Sequence, residues 1–161
     1  MSRADRFLCD EMLQRAGRWL RAAGYDVVIA AAGESDAVLL QQARYQQRLL
    51  ITRDRGMAVH PGAADTVVLL QGNTLHGLLR EITERLAINW HYSPFSRCME
   101  CNTPLIEAPA GVIHRVPSES LRPGETLRYC PRCDKVYWEG SHVKRMRRQL
   151  ARFARGEWDD E

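Results

Sequence analysis

The sequence predicts an α/β fold: a three-layer sandwich around a central, mostly parallel sheet, followed by a small zinc-ribbon module and a basic C-terminal helix. Three observations predict it. Short apolar runs alternate with segments of helical spacing through the first 95 residues. Two CxxC pairs then follow, in a stretch rich in prolines. Helical spacing resumes after residue 140, now with basic charge. Short strands alternating with helices imply parallel βαβ units, which bury both sheet faces under helices.

Each element has its own signal. Phe7-Leu8-Cys9 is an apolar run ending at Asp10, as a buried strand would. From Met12 to Ala23, Leu13, Ala16, Leu20 and Ala23 recur on one helical face, with Met12 and Trp19 beside them, and Gly24 is the stop signal. Val27 to Ala30 reads as the second strand. Asp36 precedes a helix over Ala37 to Ala43, and Leu49 to Thr52 is the third strand, ending in Arg53-Asp54. Thr66 to Leu70 is the fourth. Asn73-Thr74 is a capping signal for a helix from Leu75 to Ala87. The style changes near residue 95, which divides the chain into residues 1–95, a ribbon over 96–140, and a basic helix with an acidic tail over 141–161.

Composition excludes several classes. Of 161 residues, 45% are hydrophobic and 27% charged, ordinary values for a globular protein. No apolar run approaches the roughly 20 residues of a spanning helix. Met1 to Arg6 lacks the apolar core of an export signal, so the expected location is cytoplasmic, with no membrane partner. Net charge is only +3, yet Gly140 to Gly156 holds six basic residues and no acidic one.

Four of the five cysteines carry the most specific pattern: Cys98-Met99-Glu100-Cys101 and Cys130-Pro131-Arg132-Cys133. Two thiolates three positions apart on a tight turn can bind one ion, and two such knuckles make the tetrahedral sulfur shell that zinc accepts. The 28 residues between the pairs exceed the roughly 15–20 of the commonest spacing. Ala108-Pro109-Ala110-Gly111 and Arg122-Pro123-Gly124 supply turns for a longer insertion. A redox CxxC and unrelated buried thiols are the competing readings. Four ligands leave no open position, so this zinc would be structural. Cys9 stands apart, as a core residue.

The acids form the second pattern. Asp10 and Asp54 each follow an apolar strand, and Asp36 opens the helix between the second and third strands. In an open parallel sheet, ligands gather at the carboxyl ends of strands. Converging carboxylates repel one another, and Mg²⁺ or Mn²⁺ offsets that repulsion through hard oxygen ligands. Such an ion activates water against a phosphodiester. Singly, Asp10 and Asp36 also read as helix caps and Asp54 as a turn residue. Glu11, Asp26 and Asp65 are weaker candidates.

With these residues in view, the chain resembles the Mut-seven C-terminal RNase domain family, PIN-like nucleases carrying a zinc ribbon. The resemblance rests on Phe7 to Leu13, Arg18-Trp19-Leu20-Arg21, Gly24-Tyr25-Asp26, Leu50 to Asp54, Arg97 to Asn102 and Cys130 to His142. It implies a PIN-like α/β fold and a metal-dependent ribonuclease hydrolysing RNA. It also implies Asp10, Asp36 and Asp54 as metal-binding catalytic acids. PIN nucleases usually offer a fourth acid, and Asp65 stands nearest to a suitable place.

The tail after Gly140 reads as a helix whose stripe of Val143, Met146, Leu150 and Phe153 packs on the body. Lys144, Arg145, Arg147 and Arg148 are candidate phosphate contacts, which raise affinity without reading sequence. Tyr137 and Trp138 read as ribbon core rather than stacking platforms, and His142 as a packing or hydrogen-bonding residue near the ribbon or an RNA contact. The first expectation is thus an RNA-cleaving enzyme. The alternatives are a non-catalytic RNA-binding protein with a degenerate PIN site and a chain held by an inhibitory protein partner. Homo-oligomerisation stays open.

Overall fold

The computed structural model describes residues 5–159. Met1 to Ala4, part of the segment without an export-signal core, and the tail acids Asp160 and Glu161 lie outside the described residues. Four strands, β1 (Arg6–Cys9), β2 (Asp26–Ile29), β3 (Leu49–Thr52) and β4 (Val67–Leu69), form one parallel sheet in the order β2-β1-β3-β4. Cys9 lies opposite both Ile29 and Ile51. From β1 the chain moves outward to β2, then crosses to β3 on the other side. The carboxyl ends of β1 and β3 therefore flank the point where strand order reverses, the place where open α/β sheets bind ligands.

Side-chain alternation along each strand builds two cores. Phe7, Cys9, Val27, Ile51 and Val68 face α1 (Gln14–Ala22) and α4 (Leu75–Leu86). Leu8 and Leu50 face α2 (Asp36–Tyr45) and the single-turn α3 (Arg55–Ala58), which contribute Leu39, Leu40, Ala43 and Met57. This is the three-layer arrangement that the alternation predicts. Full burial of each Val, Leu, Ile, Phe or Met side chain among them stabilises by about 1.5–3 kcal/mol. Gly17 brings α1 close to the sheet, since a Cβ there would stand 2.9 Å from Ile29 Cγ1.

Two local readings change. Helix α1 starts two residues later than Met12, because Glu11–Leu13 forms a 3-10 turn, and this leaves Met12 77% exposed rather than packed. Helix α3 carries no apolar periodicity in one turn and is missed by pattern reading; Asp54 starts it by accepting a hydrogen bond from Gly56 N at 2.8 Å. Thr74 caps α4 through Gly77 N, as the capping signal predicts.

Beyond α4, strands β5 (Ile106–Glu107), β6 (Arg128–Cys130) and β7 (Lys135–Tyr137) form a three-stranded antiparallel sheet. Helix α5 (Ser141–Ala154) then returns to the first core. Leu150 and Phe153 are buried there, Val143 and Met146 half-buried. The Phe153 ring lies 5.0–5.4 Å from the rings of Trp19, His76, Trp90 and Trp158. No helix among the described residues is long and apolar enough to cross a membrane.

The cysteine-bearing segment is fastened to the edge strand β2 by polar groups. Asn102 Nδ2 donates to Asp26 Oδ1 at 2.7 Å, and its Oδ1 accepts from Val27 N at 3.0 Å. Arg48 Nη1 donates to Asp26 Oδ1 at 2.8 Å and to the Phe7 and Asp26 carbonyls. Arg21, also buried, donates from Nε to Val27 O and from Nη1 to Met99 O and Glu100 O. Asp26, a weak site candidate in the sequence, is thus a structural anion.

Burial opposes ionisation of Asp26, but hydrogen bonds from Arg48 and Asn102 outweigh it, so its pKa falls below the ordinary 3.8. A carboxyl lowered on folding stabilises the fold fully above its unfolded pKa, and the contribution disappears as pH drops through the folded value. Asp26→Ala leaves Arg48 buried without its anion and is expected to cost about 3 kcal/mol at neutral pH. Urea melts should show that gap narrowing well below pH 3.8. A gap unchanged with pH would contradict this role.

Candidate metal centre and acidic sheet edge

The four sulfurs of Cys98, Cys101, Cys130 and Cys133 lie within 4.8 Å of one another, and none is in a disulfide. Cys98 and Cys133 Sγ are 3.8 Å apart, and Cys101 and Cys130 Sγ 3.5 Å. Four sulfurs about 2.3 Å from one zinc stand about 3.8 Å from each other, so the set fits that ion. The backbone prepares the geometry. Each pair is followed directly by a residue at positive φ, Asn102 at 72° and Asp134 at 54°. Asn and Asp tolerate that conformation better than other side chains. Asn102 N donates to Cys98 O, and Cys133 N to Cys130 Sγ.

The environment of the sulfurs favours a cation. Burial opposes ionisation of Cys101, yet hydrogen bonds with the Thr103 hydroxyl and N–H outweigh it and bring this thiol down to about 6. Cys133 is pushed up to about 12, first by its hydrogen bond with Cys101, then by burial and by Cys98. One thiolate thus holds the proton on Cys133. A bound cation relieves that repulsion and lets all four ionise. The Tyr137 hydroxyl lies 3.1 Å from Cys98 Sγ and fixes it from behind. Cys9 is fully buried, and burial pushes its thiol up to about 12, as suits an inert core residue.

The acids sit at the carboxyl edge of the parallel sheet. Asp10 follows β1, and its Oδ2 accepts from Thr52 Oγ1 at 2.8 Å. The same hydroxyl accepts from Asp54 N at 3.0 Å. Thr52 is fully buried and so ties the loops after β1 and β3 together. The sequence places both acids but hides this link; its one signal is a threonine closing an otherwise aliphatic strand. Asp36 occupies the first turn of α2, where Ser35, not Asp36, is the cap through its hydroxyl on Val38 N.

Among the described residues, the cysteines form the one group of three or more metal-ligating side chains closed to within 4.8 Å. Asp10, Asp36 and Asp54 share an edge without closing to that distance. Asp65 does not join them. It lies at positive φ just before β4, which places it at the opposite, amino edge of the sheet. Glu11, directly after Asp10, stays at the carboxyl edge, and another acid that reaches it is Glu81 on α4. Its carboxylate accepts from Gln71 N and Gly72 N, immediately past β4. No spacing rule links residue 81 to residue 71, so only the fold reveals it.

The basic residues divide. Arg147 pairs with Glu139 and lies over the Phe95 ring at 4.9 Å. Arg152 and Arg155 pair with Glu157, and Arg152 also with Asp159, so the tail neutralises the end of the helix. Lys144, Arg145 and Arg148 are exposed and make no ion pair among the described residues.

The sequence model of the Mut7-C RNAse domain matches residues 5–150. The chain belongs to that family. No curated protein and no solved structure matches it. In this Mut7-C RNAse domain the matched span includes the parallel sheet, both CxxC pairs and most of α5. The family places the chain in a nuclease-like or RNA-related role, and its four clustered cysteines can bind a metal such as zinc.

Protein purified without chelators is expected to carry one zinc per chain by elemental analysis. Cys130→Ser should lose the metal and destabilise β5–β7, together with the Asn102 hydrogen bonds to β2. Metal-free protein with a disulfide between the two pairs would contradict the assignment.

Proposed function

We propose that this chain is a metal-dependent ribonuclease, with Asp10, Asp36 and Asp54 as its catalytic acids and the zinc ribbon as a structural aid to RNA binding. The observation that carries the reading is the Thr52 hydroxyl joining Asp10 to the Asp54 loop at the strand-order reversal of the sheet. One oxygen each of Asp10 and Asp54 is engaged, Asp10 Oδ2 by Thr52 and Asp54 Oδ1 by Gly56 N. The other two, Asp10 Oδ1 and Asp54 Oδ2, make no hydrogen bond among the described residues. Hard oxygen donors of this kind suit Mg²⁺ or Mn²⁺. Such an ion supplies Lewis acidity toward the phosphodiester and acidifies an attacking water.

The protein's own part is positional. Thr52 fixes the Asp10 carboxylate, and α3 fixes Asp54 as its cap. Asp36, at the start of the crossover helix, supplies negative charge from a third side. Lys144, Arg145 and Arg148 would contact phosphates, and Arg147 would do so only after leaving Glu139. A cytoplasmic protein acting on RNA, without a membrane partner, is the accompanying reading.

The open spacing of the three acids favours a second reading, a non-catalytic RNA-binding protein with a degenerate site. Cleavage of mixed RNA by zinc-loaded protein separates the two. Mg²⁺ or Mn²⁺ should be required, and Asp54→Asn should abolish cleavage while binding stays intact. Thr52→Val is expected to lower the rate about 10–100-fold, as removal of a ligand-orienting group does. Cleavage unaffected by Asp54→Asn would overturn the enzymatic reading, and binding without cleavage by wild type would establish the second.

A further inference from the structure

A groove of about 620 Å³ runs between α1, the first cysteine knuckle, β7 and the start of α5. Its lining combines two kinds of side chain. Trp19, Trp138 and Met146 give it an apolar wall, while Arg15, Arg18 and Lys135 bring cationic heads. The one acid in the lining, Glu100, is already paired with Arg18 at 2.5 Å. Arg15 makes no ion pair among the described residues, and Lys135 lies 5.1 Å from the Tyr137 ring centroid with no carboxylate partner there. The groove therefore has uncompensated positive charge beside aromatic surface.

Trp138 packs against the ribbon core of Val112, Val116, Leu127 and Val136, as the sequence suggests, and also lines the groove. It is half-buried, and its indole N–H makes no hydrogen bond among the described residues. Tyr137 belongs to the core, with its hydroxyl committed to Cys98. The uncapped first turn of α5 closes one end of the groove and adds backbone N–H groups to the two free cations. An anion with a flat, weakly polar body complements all of this.

We propose that the groove is a subsite for one nucleotide of single-stranded RNA, its base against Trp138 and its phosphates at Arg15 and Lys135. The proposal deepens the ribonuclease reading and rests on it for the choice of polymer. Stacking on an aromatic face accepts any base, and it needs an unpaired strand whose bases are free of a partner. The place of the groove relative to the acids fits the same strand. Arg15 follows Asp10 by five residues, so their Cα atoms are no more than about 18 Å apart, with the 3-10 turn Glu11–Leu13 between them. A strand anchored at the ribbon therefore reaches the sheet edge within a few nucleotides. Zinc would position one wall of the groove through the knuckle and β7, which joins the ribbon to RNA holding without giving that metal a part in the chemistry.

The test uses full-length, zinc-loaded protein without added divalent cation and a labelled oligouridylate read by fluorescence anisotropy. Arg15→Ala with Lys135→Ala should weaken binding at least tenfold. The slope of log affinity against log salt should fall by about 1.4, roughly 0.7 for each single-strand phosphate deprived of its cation. Arg80→Ala with Arg128→Ala removes equal charge outside the groove and should change affinity less than twofold. RNA should quench tryptophan emission in the wild type, and Trp138→Phe, checked for retained zinc, should lose at least half of that quenching. Duplex RNA should neither quench nor compete.

Equal weakening by both double variants, quenching unchanged in Trp138→Phe, or duplex binding as tight as single-stranded would overturn the subsite. The two readings fail separately. Groove-dependent binding without any cleavage removes the ribonuclease reading and keeps the groove. Metal-dependent cleavage that ignores Arg15, Lys135 and Trp138 keeps the ribonuclease and removes the groove.

Discussion

The structure depends on how a cysteine knuckle is held against the open edge of a parallel sheet. Strand β2 is an outer strand, and its free backbone groups would otherwise face solvent. Asn102 satisfies one of them, Val27 N, while binding the Asp26 carboxylate. Asp26 in turn neutralises Arg48, which is buried beneath β1 and β2. Arg21 completes the seam by donating to carbonyls on both sides, Val27 O on the sheet and Met99 O on the knuckle. A buried guanidinium held only by carbonyls is costly to desolvate, so the seam is stable only when both sides are present. The seam also gives Asn102 two duties. Its left-handed backbone closes the knuckle and its amide caps the strand.

This arrangement places the chemistry-bearing residues of separate segments around α1. Asp10 lies just before that helix, Arg15 and Arg18 project from it into the groove, and Arg21 locks its end to the knuckle. One helix of nine residues therefore connects the acidic sheet edge, the nucleotide groove and the sulfur cluster. Gly17 lets that helix sit directly on Ile29 and Cys9, so its position is set by the sheet rather than by loops. Positive charge outside α1 is more scattered than the run of basic residues in α5 suggests. Glu139, Glu157 and Asp159 compensate Arg147, Arg152 and Arg155, which leaves Lys144, Arg145 and Arg148 for an external anion.

What the sequence makes legible follows from what is periodic or paired. The aliphatic runs at Phe7, Val27, Leu49 and Val67 announce parallel strands because both faces are buried. The two CxxC pairs announce a four-sulfur cluster because knuckle geometry is local. Asp10 and Asp54 are legible as strand-end acids for the same reason. Contacts between segments far apart in sequence leave no such trace. Nothing near Thr52 tells that its hydroxyl reaches Asp10, 42 positions away. Nothing near Glu81 shows that it binds the loop after β4, and Asp65 misleads because its distance from Asp54 conceals a change of sheet edge. Asp26 reads from its neighbours as no more than a weaker candidate, solvated or structural, and only the fold shows that Arg48 and Asn102 make it an internal counter-ion. Trp138 reads as core and does pack on the ribbon cluster, but that its other side forms a groove wall is visible only in the fold.

The central claim is that Asp10 and Asp54, joined through Thr52, form a binding site for a hard divalent cation apart from the sulfur cluster. Electron paramagnetic resonance of Mn²⁺ added to zinc-loaded protein tests it without RNA and without turnover. The expected result is one bound Mn²⁺ per chain, retained in Cys9→Ser and lost in Asp10→Asn. Mn²⁺ that stays free in the wild type, or that binds equally well after Asp10→Asn, would contradict it.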